Sequence, residues 1–374
     1  MMQRTSMRVL APFLVCICVR LLAAHAELIE KDIWVLAGQS NMGAGLPIGG
    51  WEVQAKLLGD PDPRISFWTK DGEWIEAVPT QVGPGFIFAR HVLEHTNRNI
   101  GLIMCAKGNT SILDWSPTAE GKDGEPSHYR AMINQIEESG GRVKGVLWYQ
   151  GENDASTAME GAVYKQAFLE MVDSIRRDTS QPELPFLYVQ VGRFYVLGPT
   201  YAKTWEDIRE AQRHAGLERK NMFMVSALDV PLSDLVHVSA DGQLRWARRL
   251  AEVTLSKVYD QPGHGSPIQV ESIKIMDREL GTPSIHLHFS GVTGRLSAEG
   301  RPADFEVRTE NPTAETPSFF RTDFDPADLI LRVLNPLTQP ATLIYGVGSH
   351  PYCNIVDEKD MAVPAFGPID LPVE

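Results

Sequence analysis

Five short apolar runs stand out along the chain: Ile33 to Ala37, Ile100 to Cys105, Val143 to Tyr149, Phe186 to Val191 and Met222 to Leu228. Each has the length and composition of a strand buried on both faces. Between and after them, Gly85 to His95, Tyr129 to Glu138, Ala158 to Arg177, Thr204 to Ala215 and Ala240 to Tyr259 carry apolar residues at three- and four-residue spacing. That spacing paints one face of a helix. Strand and helix in alternation predict an α/β fold, a parallel sheet between two helical layers. In such sheets ligands bind beyond the carboxyl ends of the strands, so the residues that follow each strand are the ones to read.

The pattern changes after Tyr259. Gln261 to Pro267 is a turn-rich linker, and beyond it only short alternating segments occur, such as Ser284 to Phe289 and Leu329 to Val333. The division expected is a main domain over residues 27–260 and a small β-rich domain over 266–374. No repeat or low-complexity tract interrupts either.

Composition adds limits. A chain of 374 residues that is 43% hydrophobic and 22% charged can bury a full core. Residues 1–26 place Arg4 and Arg8 before an apolar stretch that ends in Ala24-His25-Ala26, the layout of a cleaved export signal. The run is broken by Arg20 and is short for a bilayer span. A secreted or periplasmic protein without stable membrane association is therefore expected. Cleavage would remove three arginines and take the formal charge from −13 to −16. Such a surface argues against nucleic acid as a partner, because binding there depends on neutralising phosphates. Outside the signal only Cys105 and Cys353 remain, too few for a disulfide framework.

The first strand runs into Gly38-Gln39-Ser40-Asn41-Met42. A serine there can present its hydroxyl above the sheet while its backbone N–H faces the same space, supplying a nucleophile and an oxyanion donor. Met42 excludes the Gly-x-Ser-x-Gly elbow. A serine needs a base, and the last strand leads into Asp229-Val-Pro-Leu-Ser-Asp234-Leu-Val-His237, where a carboxylate can hold one imidazole nitrogen and leave the other for serine. Ser239 can cap the helix that follows. Two further strand ends, Lys107-Gly108-Asn109-Thr110-Ser111 and Gln150-Gly151-Glu152-Asn153-Asp154, fall beside the serine. A glycine N–H and a side-chain amide from them would complete an oxyanion hole.

Taken in order, Gly38 to Met42, Gly108 to Ile112 with Trp115, Trp148 to Asn153, and Asp234 to His237 resemble the blocks of the SGNH hydrolases. The nearer resemblance is to the sialate O-acetylesterase and acetylxylan esterase branch, family six of the carbohydrate esterases. Trp205 to Gln212 and the tail from Tyr345 to Phe366 are similar to segments of that branch. The resemblance implies a flavodoxin-like three-layer sandwich and a serine esterase acting on acetylated carbohydrate without a cofactor. It implies Ser40 as nucleophile, His237 as base, Asp234 as its orienting acid, and oxyanion donors at Ser40, Gly108 and either Gln150 or Asn153. Gln39, Asn41, Asn109, Trp115 and Glu152 are the expected substrate contacts. A non-catalytic glycan-binding protein is the expectation from another class.

Other signals are set aside. His91-Val-Leu-Glu94-His95 fits an inverted zinc-peptidase pattern with Glu170 as a conceivable further ligand, but it leaves Ser40 and His237 without a role. His286 and His288 alternate as on a polar sheet face. Trp68 and Trp74 fit a hairpin around Lys70-Asp-Gly72, and Trp51 adds a possible sugar platform. Asn109-Thr-Ser111 is a formal glycosylation sequon, expected to be poorly accessible next to an oxyanion hole.

Overall fold

Apolar residues on both sides of a strand demand cover on both sides, and the seven-stranded sheet receives it. The computed structural model describes residues 31–43, 59–79, 83–196, 200–276, 283–310, 318–335, 337 and 339–371. Residues 1–26, the expected export signal, and Trp51 lie outside the described residues. The sheet comprises β1 (Lys31–Gly38), β2 (Ile65–Trp68), β3 (Trp74–Glu76), β4 (Asn99–Met104), β5 (Gly145–Tyr149), β6 (Phe186–Gln190) and β7 (Met222–Ser226), ordered β3-β2-β4-β1-β5-β6-β7. All neighbours are parallel except the β2–β3 edge hairpin, where Trp68 faces Trp74.

Among the described residues six helices accompany it: α1 (Pro84–His95), α2 (His128–Glu138), α3 (Glu152–Ser156), α4 (Gly161–Asp178), α5 (Ala202–Glu218) and α6 (Ala240–Val258). Successive side chains on β5 show the two layers directly, since a strand alternates its faces. Trp148 packs edge-on against Trp115 and stacks with Phe168 of α4, while Tyr149 meets Trp246 of α6. Trp34 of β1 meets Phe88 of α1 at 4.9 Å. The result is a three-layer α/β/α sandwich. The start of α6 follows the expected cap, with Ser239 accepting from Gly242 N.

Among the described residues every C-terminal sheet is antiparallel. One is four-stranded: β12 (Phe319–Asp325), β13 (Asp328–Val333), β9 (Ser284–Ser290) and β8 (Gln269–Met276). A second joins β11 (Phe305–Thr309), β14 (Ala341–Tyr345) and β16 (Phe366–Leu371), and a two-stranded pair joins β10 (Ser297–Ala298) to β15 (Ile355–Val356). Their buried residues join those of the sandwich in one apolar cluster. Buried arginines staple the two parts. Arg209 of α5 donates to the carbonyls of Gly192 and Ser349, and Arg249 of α6 pairs with Asp229 and donates to Asp360 O. Among the described residues no helix is long and apolar enough to cross a membrane.

Candidate active site

Ser40 stands just past the end of β1, and the glycine two residues before it explains how. Gly38 has φ +118°, and a Cβ there would lie 2.2 Å from Tyr149 O of β5. Only glycine lets the chain run this close to its neighbour before turning. Gln39 N then donates to Tyr149 O at 2.8 Å, and Gly43 N reaches back to Ser40 O, closing a tight turn around the serine. On the other side of β1, Cys105 N donates to Leu36 O and Lys107 N to Gly38 O. This continuation of the β4 pairing brings Gly108 beside Ser40, a Cβ on Gly108 falling 3.7 Å from Ser40 Cβ.

His237 arrives from the loop between β7 and α6. Its Nε2 lies 3.1 Å from Ser40 Oγ, and its Nδ1 lies 2.7 Å from Asp234 Oδ2. A carboxylate only accepts, so Nδ1 carries the proton and Nε2 is free to accept from the serine hydroxyl. Asp234 Oδ1 also accepts from Val236 N and His237 N, curling the loop around the carboxylate. Partial burial would push the Asp234 carboxyl up, but those backbone N–H groups and then the imidazole outweigh it and hold it below the ordinary range. An alcohol, an imidazole and an ionised carboxylate thus stand in one hydrogen-bonded line, the arrangement that turns a hydroxyl into a nucleophile.

Several residues expected to touch substrate face inward instead. Trp115 is 0% exposed, with its ring against Trp148 and its Nε1 donating to Thr110 Oγ1, so it is core rather than a sugar platform. Gln150 is also 0% exposed; its amide nitrogen donates to Thr110 O and Asp154, which leaves no N–H for an oxyanion. Asn41 is 1% exposed and spends its amide on Glu152, Val236 and Val238. Glu152 is buried beside it, and Gln39, also buried, accepts from Asn153 N with its Oε1. Around Ser40 these polar side chains serve as struts, and sequence does not say which way each points.

Two positions stay open to the rim. Asn153 is partly exposed and tied to Gln39 through its backbone, and Asn109, at φ +59° next to Gly108, is exposed. The expectation of an inaccessible sequon is therefore wrong for the Asn109 side chain itself, although its Thr110 and Ser111 are held by Trp115 and Asp154. Asp154 stands in the sequence block after β5 without an assigned role. It is buried and accepts from Ser111 Oγ and Ile112 N, anchoring the short helical turn Ile112–Trp115 under the Gly108 loop. Its signal was the acid directly after Asn153, opposite a serine that opens a capping box with Asp114.

The remaining clusters are structural in their contacts. His91, Glu94 and His95 do bring ligand atoms within 4.8 Å of one another, but the acid against His91 Nε2 is Glu252 of α6 at 2.8 Å, not Glu170. His286 meets Ser284 and His288 meets Asp328 on an exposed sheet face. Cys105 and Cys353 are both free thiols.

A family model described as carbohydrate esterase, sialic acid-specific acetylesterase, matches residues 30–256. A probable carbohydrate esterase of Arabidopsis thaliana is 34% identical over 257 residues, which span 60% of this chain and 91% of that protein. A solved carbohydrate acetylesterase from Xanthomonas citri shares the fold, with a TM-score of 0.72 at 21% identity over 90% of this chain and 80% of the other. A solved protein of Arabidopsis thaliana gives a TM-score of 0.51 at 28% identity, covering 61% of this chain and 99% of its own. The matched span takes in Ser40, Gly108, Asp234 and His237, and the chain belongs to this carbohydrate esterase family as a carboxylic ester hydrolase.

Proposed function

We propose that this protein hydrolyses O-acetyl groups from carbohydrate through an acetyl-enzyme. Ser40 Oγ attacks the acetyl carbonyl as its proton passes to His237 Nε2, and the collapsing intermediate expels the sugar oxygen, which takes that proton. Water, deprotonated by the same nitrogen, then releases acetate and restores Ser40. The observation that carries this reading is the line Asp234–His237–Ser40, with contacts of 2.7 and 3.1 Å. The oxyanion donors are the backbone N–H groups of Ser40 and Gly108 and the side chain of Asn153, which replaces Gln150 in this role.

Within the family we assign the chain to the sialate O-acetylesterase and acetylxylan esterase branch, with an acetylated sialate or related sugar as substrate. The family description and the exposed Lys107, a cation adjoining Gly108 that suits a sugar carboxylate, support this. The net charge of −13 favours a neutral acetylated xylan as the second reading. Export through residues 1–26 belongs to the same proposal. Acetate release from acetylated sialic acid, xylan and pectin by wild type, Ser40→Ala and His237→Ala tests it. Both variants should lose at least about 1,000-fold in kcat. Equal rates in all three would end the esterase reading, and glycan binding without acetate release by wild type or Ser40→Ala would favour a binding protein.

A further inference from the structure

Asn41 follows the nucleophile, yet its side chain reaches the loop that carries the base. Its Oδ1 accepts from Val238 N at 2.9 Å and its Nδ2 lies 3.3 Å from Val236 O, so one amide grips the residues on both sides of His237. The second proton on Nδ2 goes to Glu152 Oε1 at 2.7 Å. Glu152 opens α3 at the end of β5, so three separate strand ends meet at this amide. All three contacts require one orientation of the amide. Turned over, it would set its NH2 against Val238 N–H and its oxygen against Val236 O and Glu152. An ionised Glu152 carboxylate only accepts and so selects the productive orientation, and a protonated one can still accept from Nδ2 through its carbonyl oxygen. Its second oxygen, Oε2, is buried without a hydrogen-bond partner among the described residues. Such an atom is costly and calls for a purpose.

We infer that Asn41 and Glu152 are a positioning pair: the amide of Asn41, locked by the Glu152 carboxyl, sets the distance and aim of His237 relative to Ser40. Neither touches the reacting atoms. Their effect passes through the imidazole, which stands on a loop with an exposed rim and has its carboxylate partner within the same loop. A misplacement of about 1 Å in a reacting group can cost on the order of 100-fold in rate, so a clamp between nucleophile and base has direct leverage on kcat. The titratable groups that act electrostatically on Glu152 include His237 from the loop, Asp154 on its own helix, Tyr149 on β5 and Tyr164 on α4. Burial, more than any of these, pushes the Glu152 carboxyl up to about 7.

The inference rests on the esterase reading of Ser40 and His237, and its test separates the two. Steady-state kinetics on a chromogenic acetate across pH, with thermal melting as a folding control, are compared for wild type, Ser40→Ala, Asn41→Ala, Glu152→Ala, Glu152→Gln and the double alanine variant. Asn41→Ala is expected to lower kcat about 10- to 100-fold with KM within about twofold. Glu152→Ala should do the same, and the double variant should lose no more than the worse single, because the two act as one unit. Glu152→Gln keeps an acceptor for Asn41, so it should retain kcat within about threefold and keep the pH profile of wild type. An enzyme that needs Ser40 but keeps wild-type kcat in Asn41→Ala, or loses rate additively in the double variant, overturns the positioning role alone. Activity untouched in Ser40→Ala overturns the esterase reading instead. If Asn41→Ala fails to fold, the contrast between Glu152→Ala and Glu152→Gln decides the matter, equal rates in both contradicting the clamp.

Discussion

Ser40 and His237, the proposed nucleophile and its base, are held by opposite means. Ser40 is anchored by the sheet: β1 is paired on both sides, Gly38 is pressed against Tyr149, and Gln39 and Asn41 on either side of the serine are buried. His237 belongs to a loop whose order is mostly its own. Asp234 is curled by backbone N–H groups two and three residues on, its side chain is 52% exposed, and Leu235 between them is 60% exposed. Sheet-built positions are fixed by many cooperative contacts, whereas a loop keeps its place through a few bonds that open at lower cost. The serine is therefore the rigid member, and the few bonds that tie the loop to the sheet decide how often the pair is aligned.

Changes on the loop should act on rate and leave the fold intact, and changes at the sheet end should act on both. The largest effect belongs to Asp234→Asn, which keeps the shape of the loop but removes the charge that fixes the imidazole tautomer. A loss of about 1,000- to 10,000-fold in kcat with an unchanged melting temperature is expected, read by steady-state kinetics and calorimetry. Gly38→Ala forces an L-residue to φ +118° and its Cβ into Tyr149 O, and chemical denaturation should show a loss of about 3 kcal/mol or more together with activity. Equal stability to wild type would show that the sheet end yields, against the comparison drawn above. Asn153→Ala removes a proposed oxyanion donor and, on that assignment, should cost about 3 kcal/mol in kcat/KM, while Gln150→Ala acts on stability through its lost partners Thr110 and Asp154.

The last effect is a pH slope, which reaches its full size only across the whole window. Glu152 holds its proton up to about 7 in the folded protein against an ordinary 4.5. Between those values the folded state binds a proton that the unfolded state releases, so this group makes stability fall as pH rises through the window, by up to about 3 kcal/mol. Denaturation midpoints at several pH values should show this fall in wild type and its flattening in Glu152→Gln.

Much of the sandwich was legible because buried parallel strands write continuous apolar runs. The expected Ile33 to Ala37 became Lys31–Gly38, and the expected Ala240 to Tyr259 became Ala240–Val258. The β2–β3 hairpin could be anticipated from Trp68 and Trp74, but not its place at the sheet edge, since four- and three-residue strands carry too little periodicity to reveal a partner. At the site, chain order and strand ends brought together Ser40, Gly108, Asp234 and His237. What sequence did not give was direction. Asn41, Glu152 and Trp115 lie next to reactive positions yet turn into the protein, and only the packing of α3, α4 and the His237 loop around them settles that.

The most direct test is to treat the protein with a serine-directed phosphonate and locate the adduct by peptide mass spectrometry, with His237→Ala in parallel. The account predicts a single adduct on Ser40 that abolishes acetate release in wild type, and labelling at least about 100-fold slower without the imidazole. An adduct on another residue, or full esterase activity with Ser40 blocked, would contradict it.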